Sequence, residues 1–227
     1  MRSWAITGAA RGIGLEFVRQ LALDKEDLVF AMVRNKERAT HLIPIAEANQ
    51  NVLVLEADAT DYEALKAAAS RVSEVTGGKL DVIITNHART GSGTRYWTPI
   101  TQMCVYCNMW RIAIAYRVNT VGAMHVINAF LPPLRAGTMK HIVAISSAAG
   151  DLDLVLRSRE NLLAAYAASK AALNIVIAKY AANLRSEGFM CVPLNPGMVN
   201  TDETSVAARA SLSPLLPVAP LGSTDAL

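Results

Sequence analysis

The chain has 227 residues, 52% hydrophobic and 18% charged, which suits one α/β domain with a sizeable core. A formal net charge of +3, carried by basic residues scattered along the chain, excludes a nucleic-acid-binding stripe or a polybasic membrane anchor. No apolar run reaches the roughly 18 residues that span a bilayer, and the three cysteines, Cys104, Cys107 and Cys191, cannot frame a disulfide scaffold.

In chain order, candidate strands run over Trp4–Thr7, Leu28–Val33, Val52–Leu55, Val82–Thr85, Ile142–Ser146 and Cys191–Leu194. Each is apolar at consecutive positions, as strands buried on both faces of a parallel sheet are. The first begins by Trp4, which leaves no room for a signal peptide, so the expected compartment is the cytoplasm. Segments of helical period lie between the strands. Phe17, Val18, Leu21 and Ala22 form one apolar stripe; Tyr62, Leu65, Ala69 and Val72 form another, opened by Thr60 or Asp61 as N-cap. A long helix is expected from about Asn161 to Glu187, stopping at Gly188. This alternation predicts a doubly wound parallel sheet, a Rossmann fold, in one domain over residues 1–227. Residues from about 205 to 227 include Ser213-Pro-Leu-Leu-Pro-Val-Ala-Pro220 and read as an irregular tail.

The first strand runs into Thr7-Gly8-Ala-Ala-Arg11-Gly12-Ile13-Gly14. Gly8 permits a tight turn, while Gly12 and Gly14 let backbone approach a pyrophosphate at a helix N-terminus, whose free N–H groups and partial positive charge favour an anion. A glycine cluster alone could be a simple turn; the strand–helix context argues for a phosphate loop. An NAD site usually has an acid at the end of the second strand. That strand ends here in Arg34, and Arg11 lies inside the loop. Two guanidiniums suit a 2′-phosphate, so NADP(H) is the expected cofactor; Arg34 could instead be a solvated strand-end arginine. Asp58 follows the third strand, as an adenine contact or a cap.

Tyr166-Ala-Ala-Ser-Lys170 lies in the long helix, and positions i and i+4 share a face. A cation beside a phenol favours the phenolate, so a Tyr166 pKa moved towards neutrality is expected. Ser146-Ser147-Ala-Ala-Gly150 ends the fifth strand at the carboxyl edge, where such sheets bind ligands, and Ser147 is the better candidate of the two serines. Asn119, in Val-Asn-Thr-Val-Gly122, could be a buried helix polar group bonded to backbone. Asn195-Pro196-Gly197-Met-Val199-Asn-Thr201 follows the sixth strand and could close over a nicotinamide.

Together these motifs resemble the short-chain dehydrogenase/reductase family, over roughly 1–88 and 117–204. Phe30-Ala-Met-Val-Arg34-Asn35, Leu131-Pro-Pro-Leu and Met190-Cys-Val-Pro-Leu-Asn-Pro-Gly are most similar to its small carbonyl-reductase-like subgroup, which includes sniffer and C-factor proteins. The resemblance implies a proton from Tyr166 to a carbonyl oxygen and Lys170 holding the nicotinamide ribose. It implies Ser147 bonded to the substrate oxygen and Asn119 supporting a water-linked relay. Gly8, Arg11, Gly12, Ile13, Gly14, Arg34, Asp58, Asn86, Pro196, Val199 and Thr201 would meet the cofactor. The substrate would be a small carbonyl or alcohol compound; a homo-oligomer stays open.

The pattern also breaks. Thr85-Asn86-His87-Ala88 stands where the family has N-N-A-G, and His87 is large for an alanine position. Residues 89–116 are atypical; their Cys104-Val-Tyr-Cys107 lacks a second Cys/His pair, which argues against zinc, and no metal is expected. Tyr166 comes 19 positions after Ser147, which suggests an extra loop, and only 26 residues follow Thr201, which suggests a shortened C-terminus. The expectation is an NADPH-dependent carbonyl reductase. The alternative is a catalytically weak or inactive NADPH-binding relative, favoured by His87 and the tail and opposed by intact Ser147, Tyr166 and Lys170.

Overall fold

A computed structural model describes residues 1–90, 105–158, 162–199 and 201, and of 105–109 the backbone alone. Six strands form one sheet: β1 (Arg2–Thr7), β2 (Asp27–Val33), β3 (Val52–Glu56), β4 (Val82–Thr85), β5 (His141–Ile145) and β6 (Met190–Leu194). Their order is β3-β2-β1-β4-β5-β6 and every pair is parallel. The strand order reverses at β1/β4, which opens a crevice at the carboxyl ends of those strands. The expected strands agree with these to within a residue or two.

Seven α-helices connect the strands among the described residues: α1 (Gly12–Leu21), α2 (Leu42–Ala48), α3 (Tyr62–Thr76), α4 (Val105–Tyr116), α5 (Gly122–Ala136), α6 (Leu152–Ser158) and α7 (Ala164–Leu184). Alternate residues of β2 face opposite layers. Phe30 and Met32 join Leu65, Val72, Phe130, Leu134, Leu173 and Ile177 on the α3/α5/α7 side. Val29, Ala31 and Val33 join Val18, Ala22 and Leu42 on the α1/α2 side. The central strands are therefore buried on both faces, as their apolar runs require. β6 departs from that expectation: it is the edge strand among the described residues and is only partly covered.

Asp61 caps α3 by accepting from the Ala64 N–H at 3.0 Å, so it, and not Thr60, opens that helix. After α7 a short 3₁₀ turn, Arg185–Glu187, ends at left-handed Gly188, where the sequence places the stop. The described helix begins at Ala164; Asn161, the expected start, lies outside the described residues, as do Cys104 and the expected irregular tail. The extra span between Ser147 and Tyr166 contains α6.

Asp81, just before β4, ties distant segments together. One carboxylate oxygen accepts from the Ser3 N–H and hydroxyl at 2.9 and 3.0 Å. The other accepts from the Thr138 N–H and hydroxyl at 2.9 and 2.7 Å. Burial by itself would raise the Asp81 pKa, but these four donors outweigh it and hold the carboxyl down at about 2.

Candidate active site

β1 delivers the chain into the glycine loop. Gly8 has φ +66°, and a Cβ there would come within 3.0 Å of the His87 backbone, so the turn admits glycine only. Asn86 holds this loop from the β4 side. Its N–H donates to Thr7 Oγ1 at 3.0 Å, and its Nδ2 donates to the Gly8 carbonyl at 3.2 Å. α1 then starts at Gly12 with Arg11 as an extended N-cap that makes no side-chain capping bond, and no acid sits in the first turn. Its first N–H groups are left for an anion.

A groove of about 830 Å³ runs from this helix end along the β2 terminus. Arg11, Gly12, Arg34, Arg38, Asp58 and Thr201 line it, among others. Three arginines against one carboxylate make its charge suited to phosphates. Asp58 is committed locally: burial would raise its pKa, but the Thr60 N–H and hydroxyl, both 2.7 Å from Oδ1, and the nearby Arg34 lower it. The groove thus fits a phosphorylated dinucleotide by the chemistry of its donors. Sequence reasoning missed Arg38, Thr40 and His41, which line the same groove. The signal was weak, because these residues follow the strand in a polar turn with no periodicity. The Asn195–Val199 segment follows β6, and Thr201 returns against Gly12, where a Cβ would meet it at 3.0 Å. Pro196 and Val199 lie on that return path.

The fifth strand brings Ser147 to the same edge. Ser146 turns inward and donates to Asn174 Oδ1 at 2.5 Å. Ser147 instead accepts from the Ala149 N–H at 3.2 Å, and its hydroxyl stands near enough to the Tyr166 phenol to lower that group's pKa. Gly150 permits this meeting. A Cβ there would lie 2.6 Å from the Lys170 carbonyl carbon, so its absence lets the serine turn press onto α7.

On α7, Tyr166 and Lys170 share a face, with the ammonium 5.7 Å from the phenol ring centroid. Lys170 is almost fully buried and donates to the Ile145 carbonyl at 2.6 Å. Burial lowers its pKa to about 8. The expected downward shift of Tyr166 is not found: burial raises its pKa, and the nearby Ser147 hydroxyl offsets this only in part. The physical reason is that the phenol is desolvated while the neighbouring ammonium is turned to a carbonyl.

Asn119 sits on a widened π-turn, Arg117–Val121, that points its amide inward. It accepts from the Arg89 N–H at 2.6 Å, and its Nδ2 donates to the Arg89 carbonyl at 3.1 Å and to Ser169 Oγ at 2.9 Å. Ser169 in turn donates to the Tyr166 carbonyl at 2.7 Å. Asn119 therefore meets backbone on both sides and reaches the phenol-bearing turn through Ser169.

His87 is held by Thr7, whose Oγ1 lies 2.7 Å from Nδ1. Its Nε2 edge packs at Gly122, where a Cβ would come within 3.0 Å. Burial, then the Lys170 charge, pushes the His87 pKa down to about 4. The ring is a neutral structural group at the back of the site. A narrow cleft opens on the other side of Tyr166, lined by Arg89, Trp110, Arg111 and Ile114. These lining residues fall in the segment that matched no motif.

The chain is similar to known proteins in sequence and in fold. A sequence profile described as short chain dehydrogenase matches residues 3–211. The short-chain dehydrogenase/reductase atnB of Arthrinium sp is 40% identical over 205 residues, 90% of this chain and 77% of that protein. Among solved structures, an NADPH-bound carbonyl reductase from chicken fatty liver superposes with a TM-score of 0.77 at 32% identity, over 90% of this chain and 78% of that one. Carbonyl reductase Sniffer of D. melanogaster gives 0.78 at 26% identity, over 90% and 84%. No described helix is long and apolar enough to cross a membrane.

Proposed function

The chain belongs to the short-chain dehydrogenase/reductase family of oxidoreductases, and from that membership we propose that it is a cytoplasmic, NADPH-dependent reductase of a ketone, aldehyde or quinone. The reading rests on one conjunction: Ser147, Tyr166 and Lys170 meet at the strand edge beside a groove carrying Arg11, Arg34 and Arg38. NADPH, when bound, supplies the hydride. The likeness to an NADPH-bound carbonyl reductase supports the same cofactor.

Arg34 and Arg38 would take the 2′-phosphate and the glycine loop the pyrophosphate, with Val199, Pro196 and Thr201 at the nicotinamide end. Ser147 donates a hydrogen bond to the substrate oxygen and Tyr166 gives that oxygen its proton. The raised Tyr166 pKa keeps the phenol protonated at neutral pH, the state a proton donor for reduction requires. Lys170, still mainly an ammonium at pH 7 with its pKa about 8, stabilises the phenolate left behind. Asn119 holds the segment at Arg89 and the Tyr166 turn in register, as a positioning group.

The test is an NADPH-oxidation screen of purified protein against quinones, aldehydes and aromatic ketones. Turnover that requires NADPH upholds the reading. Stoichiometric NADPH binding without turnover of any carbonyl would replace it with an inactive binder.

A further inference from the structure

We propose that Asn174 is a positioning residue for the reaction: it holds Ser147 against Tyr166 by bonding both ends of the serine turn. The proposal rests on the reductase reading above. Asn174 lies in α7 four residues beyond Lys170. Tyr166, Lys170 and Asn174 follow one another at steps of four, so they form a row along the helix.

That row meets the end of β5 at successive points. Lys170 donates to the Ile145 carbonyl at 2.6 Å. Asn174 Oδ1 accepts from the hydroxyl of Ser146, the next residue, at 2.5 Å, and its Nδ2 donates to the Gly150 carbonyl at 3.2 Å. The Gly150 carbonyl can only accept, so it takes the NH₂ end of the amide, and the Ser146 hydroxyl must then donate to the oxygen. One planar group thereby spans the turn from Ser146 to Gly150, with Ser147 inside the span.

The bonds inside the turn shape it but do not place it on α7. Ser147 Oγ accepts from the Ala149 N–H at 3.2 Å, and the Gly150 N–H donates to the Ser147 carbonyl at 3.0 Å. The Ser146 N–H donates to the Leu194 carbonyl of β6 at 2.7 Å, which fixes the near end of the turn to the sheet. The far end lies against the Lys170–Ala171 backbone, an approach that Gly150 permits by having no side chain. Asn174 supplies the directional bond that fixes this end. The proton donor, the ammonium and the hydroxyl that orients the substrate oxygen are thereby all referred to one helix, which preserves their spacing for proton transfer.

The experiment is a double-mutant cycle between Asn174→Ala and Ser147→Ala, read as kcat with NADPH and a carbonyl that the parent protein reduces. Loss of the amide should lower kcat by about tenfold, with NADPH affinity within about twofold of the parent. In the Ser147→Ala background the same change should cost less than about twofold, because the group it positions is gone. A merely structural role would cost the same in both backgrounds. Ser146→Ala, which removes one of the two ties, should give the same pattern at smaller size, and it runs the cycle if Asn174→Ala does not fold. A parent-like kcat, or an equal loss in both backgrounds, would overturn the inference and leave the reductase reading intact. If the parent reduces no carbonyl, the reductase reading fails by itself, and ¹³C-tyrosine spectra decide the geometry. The Tyr166 Cζ resonance, assigned with Tyr166→Phe, should move in Ser147→Ala, move the same way in Asn174→Ala, and move no further in the double variant. A resonance that Asn174→Ala leaves in place, or that shifts additively in the double variant, overturns the inference.

Discussion

Thr7 Oγ1 lies 2.7 Å from His87 Nδ1, a contact that ties the end of β1 to the histidine after β4. Thr7 Oγ1 already accepts from the N–H groups of Asn86 and His87, at 3.0 and 3.3 Å. The same hydroxyl lies 3.4 Å from the Ile84 carbonyl, to which it donates, so the His87 tautomer sets which partner gives the proton across the 2.7 Å contact. Burial first, and then the Lys170 charge, opposes the imidazolium and holds the His87 pKa at about 4.

This gives the first prediction. His87 is neutral when folded but binds a proton near its ordinary 6.5 when unfolded. Its stabilising contribution is whole above pH 6.5 and is lost as pH falls towards 4. Urea unfolding of the parent protein at pH 7 and pH 4 should show about 3 kcal/mol of acid-sensitive stability that the non-titrating His87→Gln variant lacks. Parallel pH profiles for the two proteins would refute it.

Asp81 acts in a lower window. Its carboxyl is held at about 2 against an ordinary 3.8, so its contribution is present above pH 3.8 and lost as pH falls towards 2. Asp81→Asn keeps the shape but presents amide protons to donors from Ser3 and Thr138. It should cost about 2–3 kcal/mol at pH 7 by chemical denaturation, and the deficit should shrink on acidification.

For the chemistry, Tyr166→Phe should lower kcat by about 10²–10⁴-fold while NADPH affinity stays nearly the same. Lys170→Ala should damage both rate and cofactor binding, and Ser147→Ala mainly rate. Single-turnover kinetics with an active substrate, beside calorimetric NADPH titrations, separates the three. Parent-like turnover by Tyr166→Phe would end the assigned mechanism.

Cofactor choice follows from the groove. NADPH should bind at least about tenfold more tightly than NADH, about 1.4 kcal/mol, and Arg34→Asp should erase the preference. Arg38→Ala should reduce it in part, since Arg38 lines the same groove. Equal dissociation constants for the two cofactors in the parent protein would contradict the assignment.

Gly150 offers a test far from any titrating group. In Gly150→Ala the added Cβ meets α7 backbone at 2.6–2.7 Å, so the serine turn must shift away from Tyr166. Stability should fall by about 1–3 kcal/mol, and kcat more than NADPH affinity, as thermal melts and kinetics would show.

The sequence by itself determined the frame. Consecutive apolar positions mark strands covered on both sides, and the helical stripes between them force crossovers, so six parallel strands were legible. The glycine loop, Arg34 at the end of β2, and the Tyr166/Lys170 pair were legible because each depends on local spacing along one element. The short α2 and α6, the π-turn that aims Asn119, and α4 carried no such period. Tertiary structure alone decided the rest. It buried Tyr166 enough to raise its pKa and turned Lys170 to the Ile145 carbonyl. It made His87 a neutral support behind the site, and set Arg89 and Arg111 beside the phenol. Burial and field at a side chain are set by residues that arrive from far along the chain, and spacing within one element holds no record of them.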